Sequence, residues 1–182
     1  MRELIILGKG QSWKDCPFDA ECWATSTVLE MPEISNYHQI HKVFAFDDYN
    51  VTKNGLRTAK KYRIPIVSTQ GYATEKYPFE DIVRELGYSY FRPTVSYMIA
   101  YAIYQGYEKL RLYGIDQAPE WEHLINKPYV MFWLGVATGR KVKWELSKFS
   151  ILLETMGDLI SKYVIELKAR AKAMRQYMEN QS

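Results

Sequence analysis

Leu4-Ile5-Ile6-Leu7-Gly8-Lys9-Gly10-Gln11-Ser12 is an apolar run that breaks into Gly-x-Gly-x-Ser. Four branched aliphatic residues with no polar interruption fit a strand buried on both faces, as in a parallel sheet. Two glycines at its end let the backbone approach a ligand, and Ser12 adds a hydroxyl to the main-chain N–H groups of the turn. Trp13 stands where the full dinucleotide fingerprint would carry a third glycine, so the motif alone does not specify a cofactor. A second strand ends much later in Leu110-Arg111-Leu112-Tyr113-Gly114-Ile115-Asp116, setting a glycine and a carboxylate at another tip.

Between and beyond these tips, apolar runs alternate with segments of helical period, the pattern of an α/β protein. Strands are expected at 21–26, 42–48, 64–69 and 141–144, besides the two already named. Helices are expected at 52–63, 79–86 (stopped by Gly87), 94–104 (opened by Pro93, closed by Gly106) and 129–138 (ended by Gly139). The result is a Rossmann-like, mostly parallel sheet of about six strands with helices on both faces. Residues 1–146 make that domain.

From Lys148 to Glu179 the pattern changes. Leu152, Met156, Leu159, Tyr163, Leu167, Ala171, Met174 and Met178 recur every three or four residues, and Lys168, Arg170, Lys172 and Arg175 crowd the latter half. A long amphipathic helix is expected over 147–182. It outruns what a small domain covers, which favours a homo-oligomer built on it over a helix laid across its own domain. Nucleic acid binding by the basic end is the less favoured reading.

Composition sets limits. The chain has 182 residues, 47% of them hydrophobic and 25% charged, as in an ordinary folded domain. A net charge of +3 is too small to argue for nucleic acid. Cys16 and Cys22 lack the partners of a zinc site and read as reduced thiols. No apolar run reaches the roughly 18 residues of a membrane span. A cytoplasmic protein without a membrane partner is expected.

Gly8–Ser12, the strand ending in Asp47-Asp48, Thr94-Val95-Ser96 opening a helix, and Gly106 through Asp116 together resemble a Rossmann-like group. That group includes bacterial family-42 sialyltransferases and archaeal hydroxymethylpterin pyrophosphokinase-like proteins. The later run Asn126-Lys127-Pro128-Tyr129 to Gly135, then Gly139-Arg140-Lys141-Val142, is similar to small Rossmann-like proteins of tailed phages, which would put the chain in a host cytoplasm. The resemblance covers about residues 4 to 145. It implies a nucleotide or nucleotide-sugar ligand, and a glycosyltransferase-like transfer from an activated donor.

Open α/β sheets bind ligands outside the carboxyl ends of their strands. The nucleotide-binding candidates are Gly8, Lys9, Gly10, Gln11, Ser12, Asp47, Ser68, Thr94, Ser96, Gly114 and Lys127. Asp47 would accept from a ribose hydroxyl, and Lys9 or Lys127 would add charge near a phosphate. Asp116 and His123 are the candidates for handling a proton. Mg²⁺ on Asp47 or Asp48 with Asp116 is a lesser option, because neighbouring strand residues point to opposite faces. Trp121, Tyr129 and Trp133 either pack the helix after Gly-Ile-Asp or wall a base. Two alternatives stand beside transfer: a non-catalytic module that sequesters a nucleotide signal or a host protein, and a nucleic-acid accessory or structural protein using the basic helix.

Overall fold

A computed structural model describes residues 1–35, 37–116, 121–154 and 156–179. Its strands are β1 (Glu3–Leu7), β2 (Glu21–Thr25), β3 (Lys42–Phe44), β4 (Ile66–Ser68), β5 (Glu75–Lys76), β6 (Lys109–Tyr113) and β7 (Lys143–Leu146). Its helices are α1 (Tyr49–Lys61), α2 (Phe79–Leu86), α3 (Thr94–Tyr104), α4 (Trp121–Gly139) and α5 (Met156–Glu179). Among the described residues the strands form one sheet in the order β5-β4-β3-β2-β1-β6-β7, and every pairing is parallel. The chain builds outward from β1 through β2 to β5, then returns to place β6 on the other side of β1. That reversal makes the gap between the carboxyl ends of β1 and β6 the switch point.

Alternation along β1 explains why it is apolar throughout. Leu4 and Ile6 enter one core and Ile5 and Leu7 the other, all fully buried. The first core lies under α2, α3 and α4 and is rich in rings: Trp23, Phe44, Tyr77, Tyr101, Tyr107 and Trp133. The second lies under α1 and the neighbouring 3-10 turns and is aliphatic. Strand β6 has lost this two-sidedness. Leu110 and Leu112 are buried while Lys109, Arg111 and Tyr113 alternate with them on a second side that is only partly covered. A charged lattice lies on that side, with Arg111 paired to Asp19 at 2.7 Å and to Glu145 at 3.3 Å.

Helix starts and stops follow local chemistry. Asp48 caps α1 by accepting from the Asn50 N–H at 2.8 Å. Gly87, at φ +82°, ends α2 in the left-handed region where glycine costs least.

Helix α4 runs from Trp121, earlier than the expected Tyr129, and carries Pro128 in its interior. Helix α5 starts at Met156, later than the expected 147. The intervening loop is clamped to the domain instead: Ser147 Oγ donates to Asp15 Oδ2 at 2.7 Å, and Leu152 is fully buried. Strand β5, only two residues long, has no sequence signal, which is why about six strands were expected. No helix among the described residues is long and apolar enough to cross a membrane.

Candidate functional site

The tips of β1 and β6 meet at one rim and close on each other. Gly8 N–H donates to Tyr113 O at 2.8 Å and Gly10 N–H to Gly114 O at 2.9 Å. Ser12 N–H donates to Asp116 Oδ2 at 2.9 Å, the Ser12 hydroxyl pairs with Asp116 Oδ1, and Gly114 N–H donates to Ser12 Oγ at 2.9 Å. The glycines are required by contact. A Cβ on Gly8 would lie 2.4 Å from Gly114 O, and one on Gly10 2.5 Å from Asp116 Oδ2. Gly114 sits at φ +65°, with Gly8 O 2.1 Å from any Cβ it carried. Ser12 and Asp116 are only 1% and 5% exposed, so their polar atoms serve each other. Lys9 and Gln11, on the outer side of the same turn, are exposed.

A second group forms where β3 ends. Thr94, in the first turn of α3, donates its hydroxyl to Asp47 Oδ2 at 3.1 Å. Thr94 is buried and Asp47 exposed, so the carboxylate stands at the surface on a fixed support. Beside it, Phe46 and Tyr97 stack with ring centroids 3.9 Å apart and planes 8° from parallel. Burial first, and then the Asp47 carboxylate, push the Tyr97 hydroxyl above the ordinary tyrosine range. Sequence reasoning passed over both rings. The available signal was position: Phe46 adjoins Asp47, and Tyr97 follows Thr94 at the three-residue spacing that shares a helix face.

The other candidates serve local structure. Ser68 is buried and donates to Ala45 O at 2.6 Å, tying β4 to the end of β3. Ser96 donates to Pro93 O at 2.7 Å within its own helix start. Lys127 donates to the Glu154 carbonyl, and burial draws its pKa below the usual lysine value. Trp133 is buried and donates to Tyr90 O at 2.8 Å, while Tyr129 stacks on Tyr90 with centroids 4.2 Å apart. Both pack α4. The side chains of Trp121 and His123 lie outside the described residues. Asp48 caps α1, and among the described residues no three His, Cys, Asp or Glu side chains gather as a metal-binding group.

A hollow of about 680 Å³ lies at the opposite end of the sheet, where Lys109 and Lys143 open β6 and β7. Another, of about 420 Å³, is lined by Gly87, Tyr88, Ser89, Tyr90 and Phe132. Neither includes a residue of the carboxyl rim just described.

No protein-family model matches this chain, and no curated protein matches it. Among solved structures it is similar to the sialyltransferase CstII from Campylobacter jejuni in complex with cytidine-5'-monophosphate. The identity is 17% over 84% of this chain and 82% of that one, with a TM-score of 0.42. The CstII complex with CMP-3FNeuAc gives 16%, 84%, 83% and 0.46 in the same order. A point mutant of the α-2,3/8-sialyltransferase CstII gives 16%, 83%, 84% and 0.45.

Proposed function

We propose that this chain binds a nucleotide, free or sugar-linked, across the carboxyl rim from β3 to β1. The observation that carries the reading is the Asp47–Thr94 pair beside the Phe46–Tyr97 stack. A surface carboxylate held by a hydroxyl suits the cis-diol of a ribose, and an adjoining ring pair suits a base. The turn with Lys9 and Gln11 lies two strands away, about 10 Å at the usual strand spacing. That span matches the distance from a nucleoside to its phosphates, and Lys9 supplies the opposing charge. Within this reading Asp116 is a positioning residue. Its carboxylate holds Ser12 and thereby the shape of the turn.

Transfer from a nucleotide-activated donor is the activity this arrangement serves, with the proton acceptor supplied from outside the Ser12–Asp116 knot. Binding without turnover is the second reading. It is favoured by one observation: the carboxylate picked out by sequence as a proton carrier is buried and doubly engaged. The ligand site belongs to residues 1–146, and within 147–182 the helix α5 serves association, with a second copy of the chain or with another helix. The free thiols of Cys16 and Cys22 fit a reducing cytoplasm.

Calorimetry against nucleoside mono- and diphosphates and CMP- or UDP-sugars tests the reading. Saturation at a hundredfold over Kd adds about 2.7 kcal/mol to stability, visible as a raised Tm. A chain that responds to no member of the panel overturns it. Release of free nucleotide from a bound nucleotide-sugar separates transfer or hydrolysis from mere retention.

A further inference from the structure

Every α5 side chain that is described is exposed, including Val164, Leu167, Ala171 and Met174. Among the described residues, no core residue of the domain lies beyond Leu152. Helix α5 is 24 residues and about 36 Å long, and Val164, Leu167, Ala171 and Met174 stand uncovered along one side of it.

The spacing along that side is specific. Ile160, Val164, Leu167, Ala171, Met174 and Met178 follow one another at intervals of four and three, the strict heptad seam of a coiled coil. Such a narrow seam is built to receive the knobs of another helix. With Val164, Ala171 and Met178 at the first core position, the flanking positions are Ser161, Lys168 and Arg175 on one side and Tyr163, Arg170 and Tyr177 on the other. Every charge flanking the seam is positive.

Flanking charges decide which helix a seam accepts. A parallel pair of copies would set Arg170 of one chain against Arg175 of the other. An antiparallel pair would set Lys168 and Arg175 against their own kind. Both arrangements put like charges in contact, so the helix is poorly matched to itself.

We propose that α5 is a docking helix for a partner helix whose own seam is flanked by Glu or Asp. This refines the association role given above to α5 within 147–182, and it stands whether or not the rim binds a nucleotide.

The test uses the full chain and two synthetic four-heptad peptides with identical Leu/Val seams, one flanked by Glu and the other by Lys. In fluorescence anisotropy at low salt, the Glu peptide is expected to bind about tenfold or more tightly than the Lys peptide. The difference should shrink as salt rises. Leu167→Glu, at an exposed position, should abolish binding of the Glu peptide. The double variant Lys168→Glu, Arg175→Glu should reverse the preference toward the Lys peptide.

Equal binding of the two peptides, or binding that survives Leu167→Glu, overturns the proposal. So does light scattering showing a stable dimer that Leu167→Glu dissolves and the Glu peptide does not compete away. Sedimentation with phosphatidylglycerol vesicles, abolished by Leu167→Glu while neither peptide binds, would assign the helix to a lipid surface and likewise overturn it.

Discussion

Asp116 accepts from both the main-chain N–H and the hydroxyl of Ser12, a residue 104 positions away in sequence. One buried carboxylate thus fastens the loop after β1 to the loop after β6. Asp116→Ala would leave the Ser12 N–H without an acceptor in a space closed to water. Each orphaned buried group costs roughly 1–3 kcal/mol. Urea unfolding should show a loss of that size for Asp116→Ala, and a smaller one for Asp116→Asn. The amide oxygen can still take one of the two hydrogen bonds, and Ser12 Oγ can accept from the amide nitrogen.

The glycines at this junction make a paired prediction with an internal control. Gly8→Ala sets a methyl 2.4 Å from a backbone oxygen that belongs to β6's tip and cannot swing aside. Overpacking of this kind costs about 1–3 kcal/mol or separates the two tips. Gly71→Ala meets nothing within 4 Å and should leave the unfolding midpoint unchanged. Equal Tm values for the two variants would contradict the junction as described.

Asp47 is exposed and Asp116 buried, so the two carboxylates should separate binding from folding. Asp47→Asn removes the charge but keeps an oxygen to accept from the buried Thr94 hydroxyl, and is expected to change stability by no more than about 0.5 kcal/mol. Losing one charge-assisted hydrogen bond to a ribose, worth about 1.5–3 kcal/mol, should weaken nucleotide binding by tenfold or more. Calorimetry on the variant with an unchanged melting curve is the check.

How far the sequence could be read follows the same division. Strand β1 and helices α2 and α3 were legible because each carries its own boundary: a glycine turn, Gly87, and Pro93. So was the meeting of the β1 and β6 tips, since parallel topology leaves few places for them. The way they meet was not legible. That Ser12 and Asp116 would satisfy each other depends on a register between strands more than a hundred residues apart, which no local pattern records. For the same reason Phe46 and Tyr97 went unnoticed: stacking is a property of β3's tip lying against α3. Pro128 misled the start of α4, because an exposed proline can be carried inside a long helix held by packing farther along.

The ring-rich first core makes the fold sensitive to alkali. Burial pushes the hydroxyls of Tyr77, Tyr101 and Tyr107 well above the ordinary tyrosine value of 10.0. Tyr101 also donates to Glu75 at 2.8 Å, which further opposes its ionisation. In the unfolded chain these phenols ionise near pH 10, while in the folded chain they hold their protons. The folded state then binds more protons, so stability is full below about pH 10 and falls as pH climbs past it. Tyrosinate absorbance should therefore rise in two phases, the second of them, from the core rings, together with loss of helical circular dichroism. Tyr101→Phe removes one of the protons at stake and should move the second phase to higher pH, at the expense of the Glu75 hydrogen bond at neutral pH. A single phase in which all the tyrosines ionise with the helices intact would show that these rings are not sealed in the core.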